Sequence, residues 1–164
     1  MSSEKINSFL NLDEMPKYFD DFENFLKKKY EEGEKQKAEA SDRKNQWITS
    51  VEALYKDIKE LLRIYEDKKL LFFYEQEIEL EEEFIGKYKI KKLEITFSTE
   101  RISLIPRATY VVGFFGKVDM VGLHADCMIL QKEWGVWKFG KRSPKLQLFD
   151  ITSESLFNII TEIT

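Results

Sequence analysis

The stretch Trp47–Glu81, WITSVEALYKDIKELLRIYEDKKLLFFYEQEIELE, changes its hydrophobic period partway along, and that change decides the fold class. Trp47, Val51, Leu54, Ile58, Leu61 and Tyr65 recur four and three residues apart, with Ile48, Tyr55 and Leu62 beside them. That spacing puts the apolar side chains on one face of a helix. After Lys69 the period falls to two. Phe72, Tyr74, Ile78 and Leu80 alternate with Phe73, Glu75, Glu77, Glu79 and Glu81, the pattern of a strand with one acidic face. The helical stripe is wider than the seam of a two-stranded coiled coil needs, so it is expected to touch two surfaces. These surfaces lie in its own chain or in another. The second case makes Trp47, Val51, Leu54, Ile58, Leu61 and Tyr65 a candidate oligomerisation face.

Upstream, Asp13 is placed to cap a first helix with Pro16 in its first turn, and residues 1–12 read as loosely held. Phe19, Phe22, Leu26 and Tyr30 repeat at three and four residues, and Tyr18 and Phe25 widen the stripe. The following Glu31–Gln46 is almost wholly polar. Two readings compete. Either it bends a helical hairpin, with Ser41 or Asp42 capping a second helix, or one rod runs from about Glu14 to Asp67. A strict seven-residue spacing through Phe19, Leu26, Gly33, Ala40, Trp47, Leu54 and Leu61 supports the rod. The weakness of Gly33 and Ala40 as seam residues favours the hairpin.

Downstream the chain reads as short strands and tight turns. Glu34–Ile85 contains no Gly or Pro, whereas five of the seven glycines fall within Gly113–Gly140. Lys87, Lys89 and Lys91 alternate with Tyr88 and Ile90. The apolar parity then flips at Lys91-Lys92, which predicts a β-bulge or a strand break. Paired as a hairpin, the Glu row of the preceding strand faces this Lys row. Further strands are expected at Ile102–Pro106, Thr109–Phe115, Val118–Met120, Leu123–Leu130, Val136–Phe139 and Leu146–Leu148. Thr152 is expected to cap a closing helix that buries Leu156, Ile159, Ile160 and Ile163. The fold class is therefore α+β: long N-terminal helices, as hairpin or rod, then a mostly antiparallel meander or partial barrel of about six strands and a short C-terminal helix. The expected division is a helical region over 1–69 and a β-rich domain over 70–164.

Charge divides near the same place. Residues 1–85 carry 14 Lys/Arg against 22 Asp/Glu, a net of −8, and residues 87–149 carry 12 against 5, a net of +7. The single cysteine, Cys127, excludes an internal disulfide. The opening Met1-Ser-Ser-Glu-Lys lacks the apolar core of a signal peptide. The longest apolar runs, Leu70–Tyr74 and Tyr110–Phe115, are far too short to span a bilayer. These features point to a cytoplasmic location without membrane association. Lys/Glu/Ile-rich usage suggests a bacterial source.

Three sets of residues carry candidate chemistry. His124, Asp126 and Asp119 are weak catalytic or metal-ligating candidates, as in a metal-dependent hydrolase. On one strand His124 and Asp126 share a face while Cys127 points away, which denies Cys127 a local histidine base. Trp134, Trp137, Lys138, Lys141, Arg142 and Lys145 combine aromatic rings with cations, the pairing used by single-strand nucleic-acid binders. Trp137 and Phe139 read more readily as core residues on the buried face of the sheet. The third set is the helical stripe. No cofactor and no metal is read from the sequence. The leading expectation is a non-enzymatic interaction protein that self-associates through its helical part, as a dimer, with a further protein partner unidentified. A nucleic-acid-binding module is the alternative.

Overall fold

The computed structural model describes residues 15–142 and 144–164, with backbone alone for Met15 and Pro16. The expected cap at Asp13 and the start at residues 1–12 lie outside the described residues, as does Ser143.

Helix α1 runs unbroken over Met15–Asp67. The polar stretch Glu31–Gln46 is helical throughout, so the hairpin alternative is corrected to a single continuous helix. Its Glu, Lys, Gln and Ala residues are strong helix formers, which outweighs the ~1 kcal/mol cost of Gly33. Ion pairs across successive turns add to this, Lys37–Glu34 at 3.5 Å and Lys35–Glu39 at 3.9 Å. The helix ends in a Schellman closure built on lysine rather than glycine. Lys69 takes φ 59°, its N–H donates to Glu66 O at 2.9 Å, and Leu70 N–H donates to Tyr65 O at 2.9 Å.

Seven strands follow: β1 (Phe72–Glu82), β2 (Gly86–Phe97), β3 (Glu100–Ala108), β4 (Lys117–Val121), β5 (Asp126–Glu133), β6 (Val136–Arg142) and β7 (Leu146–Asp150). They form one antiparallel sheet in chain order, a meander. Helix α2 (Ser153–Ile163) closes the chain. Its cap is the expected Thr152, whose Oγ1 accepts from Ser155 N–H at 3.1 Å, while Ser155 Oγ accepts from Thr152 N–H at 2.8 Å. Leu156, Ile159 and Ile163 are buried, and Ile160 is partly buried.

Three strand expectations need correction. The strand expected over Leu123–Leu130 starts at Asp126 rather than Leu123. Thr109–Phe115 is not a strand. It is an irregular loop with one isolated bridge, Val111 to Phe114, and Val112 is 99% exposed. Gly113 at φ +82° and Gly116 at φ +142° depart from strand geometry, although Phe115 N–H still donates to Gln131 O at 2.7 Å. The parity flip at Lys91-Lys92 is met by neither a bulge nor a break, because β1 and β2 stay in one register from Phe72↔Thr96 to Glu82↔Gly86. Only Leu93–Phe97 of β2 also pairs with β3. The rest is a two-stranded ribbon, which twists more strongly than a wide sheet. Leu93 and Ile95 are buried on one face of this ladder and Tyr88 and Ile90 on the other. Along the ribbon Glu77, Glu79 and Glu81 lie opposite Lys91, Lys89 and Lys87. The acidic and basic rows thus meet inside the sheet.

The chain divides into two compact units, Met1–Ala40 and Ser41–Thr164. In the second, Trp47, Val51, Leu54, Tyr55, Ile58 and Leu62 of α1 are buried against Leu93, Ile95, Ile102, Leu104, Val118, Met120, Ile129, Trp137 and Phe139 of the sheet. Polar ties fix this docking. Tyr55 Oη donates to Lys91 O at 2.7 Å, and Trp137 Nε1 donates to Ser50 O at 3.1 Å. Gly116 has no room for a Cβ, which would sit 2.1 Å from the Trp47 ring.

Candidate interaction surface

Residues 17–32 of α1, with YFDDFENFLKKKY over Tyr18–Tyr30, alternate polar residues and aromatic bulk so that the large apolar side chains collect on one side. Tyr18, Phe19, Phe22, Phe25, Leu26 and Tyr30 are all exposed, from 49% at Phe19 to 80% at Tyr18. Phe22 and Phe25 stack with centroids 6.3 Å apart. Lys29 also falls on the stripe and holds its ammonium 5.8 Å from the Phe25 ring centre. Contiguous apolar surface of this kind marks an interaction site more often than scattered single residues do.

The later stripe differs. Trp47 is fully buried, Val51, Leu54 and Ile58 are buried, and Leu61 and Tyr65 are partly buried. Tyr65 packs edge-on against Phe157 of α2, centroids 5.5 Å apart. The expected two surfaces are both supplied within this unit, by the sheet and by α2. Trp47, Val51, Leu54 and Ile58 are therefore occupied within one chain.

The candidate catalytic set is dispersed. His124 is not on a strand, since β5 begins at Asp126. It is exposed in the Gly122–Ala125 connection, and its N–H donates to Ile163 O at 3.0 Å. Leu123, expected on a buried strand face, is 71% exposed. Asp119 does share a sheet face with Asp126, which stands opposite Val121. Its carboxylate is engaged elsewhere: Arg107 Nε donates to Oδ2 at 2.9 Å and Lys117 Nζ lies 3.4 Å from Oδ1. Among the described residues no group of three His, Cys, Asp or Glu side chains is placed to hold a metal ion. Cys127 is buried, and that burial pushes its thiol up to about 11. A thiol held neutral is a poor nucleophile.

The aromatic–cation set is split by the sheet. Trp137 and Phe139 are buried, and Trp137 packs 5.9 Å from Trp47, so neither ring is open to a base. Lys138 pairs with Asp150 and Lys141 with Glu162, the latter at 2.9 Å. Lys138 and its hydrogen bond hold the Asp150 carboxyl below its usual range. Arg142 and Lys145 are exposed at the β6–β7 turn. Trp134 is half-buried and packs at a tilt against Phe115, ring centroids 5.0 Å apart.

That last contact belongs to a cluster the sequence does not announce. Arg43 lies over the rings of Tyr110, Phe115 and Trp134, at 4.2, 5.7 and 5.8 Å, and donates from Nε to Thr109 Oγ1 at 3.1 Å. Glu82 accepts from Thr109 N–H at 2.8 Å and from Tyr88 Oη. Burial first, and then this carboxylate, hold the Tyr88 hydroxyl well above the usual phenol range. The Trp47 indole N–H is buried beside it without a partner among the described residues. The cluster clasps the ribbon end and the 109–116 loop to α1. Its charges are already met by one another, which fits a structural tie.

No described helix is long and apolar enough to cross a membrane. No protein-family model matches the chain, and comparisons with curated proteins and with solved structures find no match either.

Proposed function

We propose that this chain is a non-enzymatic, cytoplasmic interaction protein that self-associates as a dimer through its helical part, with Tyr18–Tyr30 as the contact face. The observation that carries the reading is the exposed stripe of six large apolar side chains. An aromatic stripe facing water is unfavourable at roughly 25 cal/mol per Å² of apolar area, and a partner surface relieves that cost. Half-exposed side chains of this size offer roughly 100 Å² each, so two copies would bury on the order of 1,200 Å², near the lower end of specific interfaces. Residues at Trp47–Tyr65 support this role indirectly, by anchoring α1 to its own sheet. The alternative, a nucleic-acid-binding module, retains Lys141, Arg142 and Lys145 as exposed cations, but its central ring, Trp137, is withdrawn into the core.

The test is the double substitution Phe22→Glu/Leu26→Glu. Both residues are exposed, so the fold is expected to tolerate the change. Light scattering on an eluting sample at tens of micromolar should give a dimer mass for the intact chain and a monomer mass for the variant. An unchanged dimer would place the contact elsewhere.

A further inference from the structure

The exposed stripe carries an orientation code in its flanking charges. Lys17, Asp21, Lys28 and Glu32 follow one edge at spacings of four, seven and four residues. Glu23 and Lys27 follow the other edge, four residues apart and 3.4 Å from one another. Asp21 and Lys28 have no ion-pair partner among the described residues. Resting on the self-association reading above, we infer that two copies pair antiparallel over residues 17–32, about a two-fold axis between Asn24 and Phe25.

The argument is one of symmetry. In an antiparallel pair each edge of the helix meets the same edge of the other copy, with the order of residues reversed. About the stated axis, Asp21 then faces the other copy's Lys28 and Lys17 faces its Glu32, while Glu23 faces Lys27 on the other edge. All three are opposite charges. The apolar layers match as well: Phe19 meets Tyr30, Phe22 meets Leu26, and Phe25 meets its own copy near the axis. In a parallel, in-register pair opposite edges meet at the same height. Asp21 then falls beside Glu23 and Lys28 beside Lys27, like charge against like. The segment is thus complementary to its own reverse and repels its parallel copy. The occupant this fits is a second copy of the chain.

Cysteine cross-linking of the full chain reads the orientation. Cys127 stays in place, because it is buried. Phe19→Cys alone and Tyr30→Cys alone should give little disulfide-linked dimer, since each thiol sits about 16 Å along the axis from its own copy. A 1:1 mixture of the two variants should cross-link readily. Self-linking of Phe19→Cys as fast as the mixture would overturn the antiparallel arrangement and leave self-association standing. So would a mixture that fails to link although both variants sediment as dimers. Charge reversal supplies a second reading that leaves the apolar contacts intact. Asp21→Lys should weaken the dimer about fivefold, and adding Lys28→Asp should restore it. In a parallel pair Asp21→Lys would instead strengthen association, by facing Glu23. An intact chain that sediments as a monomer at tens of micromolar would remove both the orientation and the reading it rests on. That is also the outcome expected if the stripe serves a lipid surface or a different protein.

Discussion

Helix α1 carries two apolar stripes with the same spacing and opposite fates. Tyr18–Tyr30 is exposed, while Trp47–Leu62 is buried against the sheet. Periodicity alone does not distinguish them, because it reports which side chains share a face and not what covers that face. Composition comes closer. The later stripe is mostly aliphatic, with Trp47 and Tyr55 among the Val, Leu and Ile, shapes that interdigitate with the Val, Ile and Leu of a sheet. The earlier one is almost all Phe and Tyr with Lys29 among them, nearer to the mixture enriched at interfaces.

Equivalent truncations in the two stripes sharpen the comparison. Trp47→Ala should lower unfolding stability by about 3–5 kcal/mol, because it empties a site against Trp137 and Gly116. Phe22→Ala should change the stability of the dissociated chain by less than about 0.5 kcal/mol. Urea unfolding of both variants at low concentration measures the gap. Equal effects would mean that the early stripe is covered within its own chain.

Between these extremes lies a pH effect confined to the sheet unit. Burial raises the Cys127 thiol from 9.0 to about 11. The folded state therefore keeps a proton that the unfolded chain releases in this window. Stability tied to this group is full below pH 9 and is lost as pH climbs toward 11. From pH 8 to pH 10.5 the intact chain should lose on the order of 2 kcal/mol more than Cys127→Val. Tyr55 and Tyr88, shifted the same way by burial, contribute equally to both proteins. Identical pH slopes would show that Cys127 is solvated in the folded state.

Much of the architecture was legible because it is written in local pattern. The Trp47 stripe, the change of period after Lys69, the Glu row against the Lys row and the cap at Thr152 all depend on residues a few positions apart. Where the structure departs from local pattern, competition between local signals or distant partners decides. Gly33 and a polar stretch suggested a bend, but helix propensity and turn-to-turn ion pairs carried α1 through. Thr109–Phe115 has strand composition, yet Gly113 and Gly116 sit at positive φ and Thr109 is drawn to Glu82 and Arg43. Those partners are 27 and 66 residues away, beyond any spacing rule. His124 looked like a strand residue because Leu123 and Ala125 alternate correctly around it. The strand starts two residues later, where the ladder with β4 begins at Val121↔Asp126.

Concentration-dependent hydrogen exchange tests the contrast between the stripes in one experiment. Amides across Tyr18–Glu32 should become more protected between about 1 and 50 micromolar, as pairing suppresses opening of a helix segment that is marginal alone. Amides across Trp47–Tyr65 should exchange at the same rate at both concentrations. Protection of Tyr18–Glu32 that does not change with concentration would contradict the account.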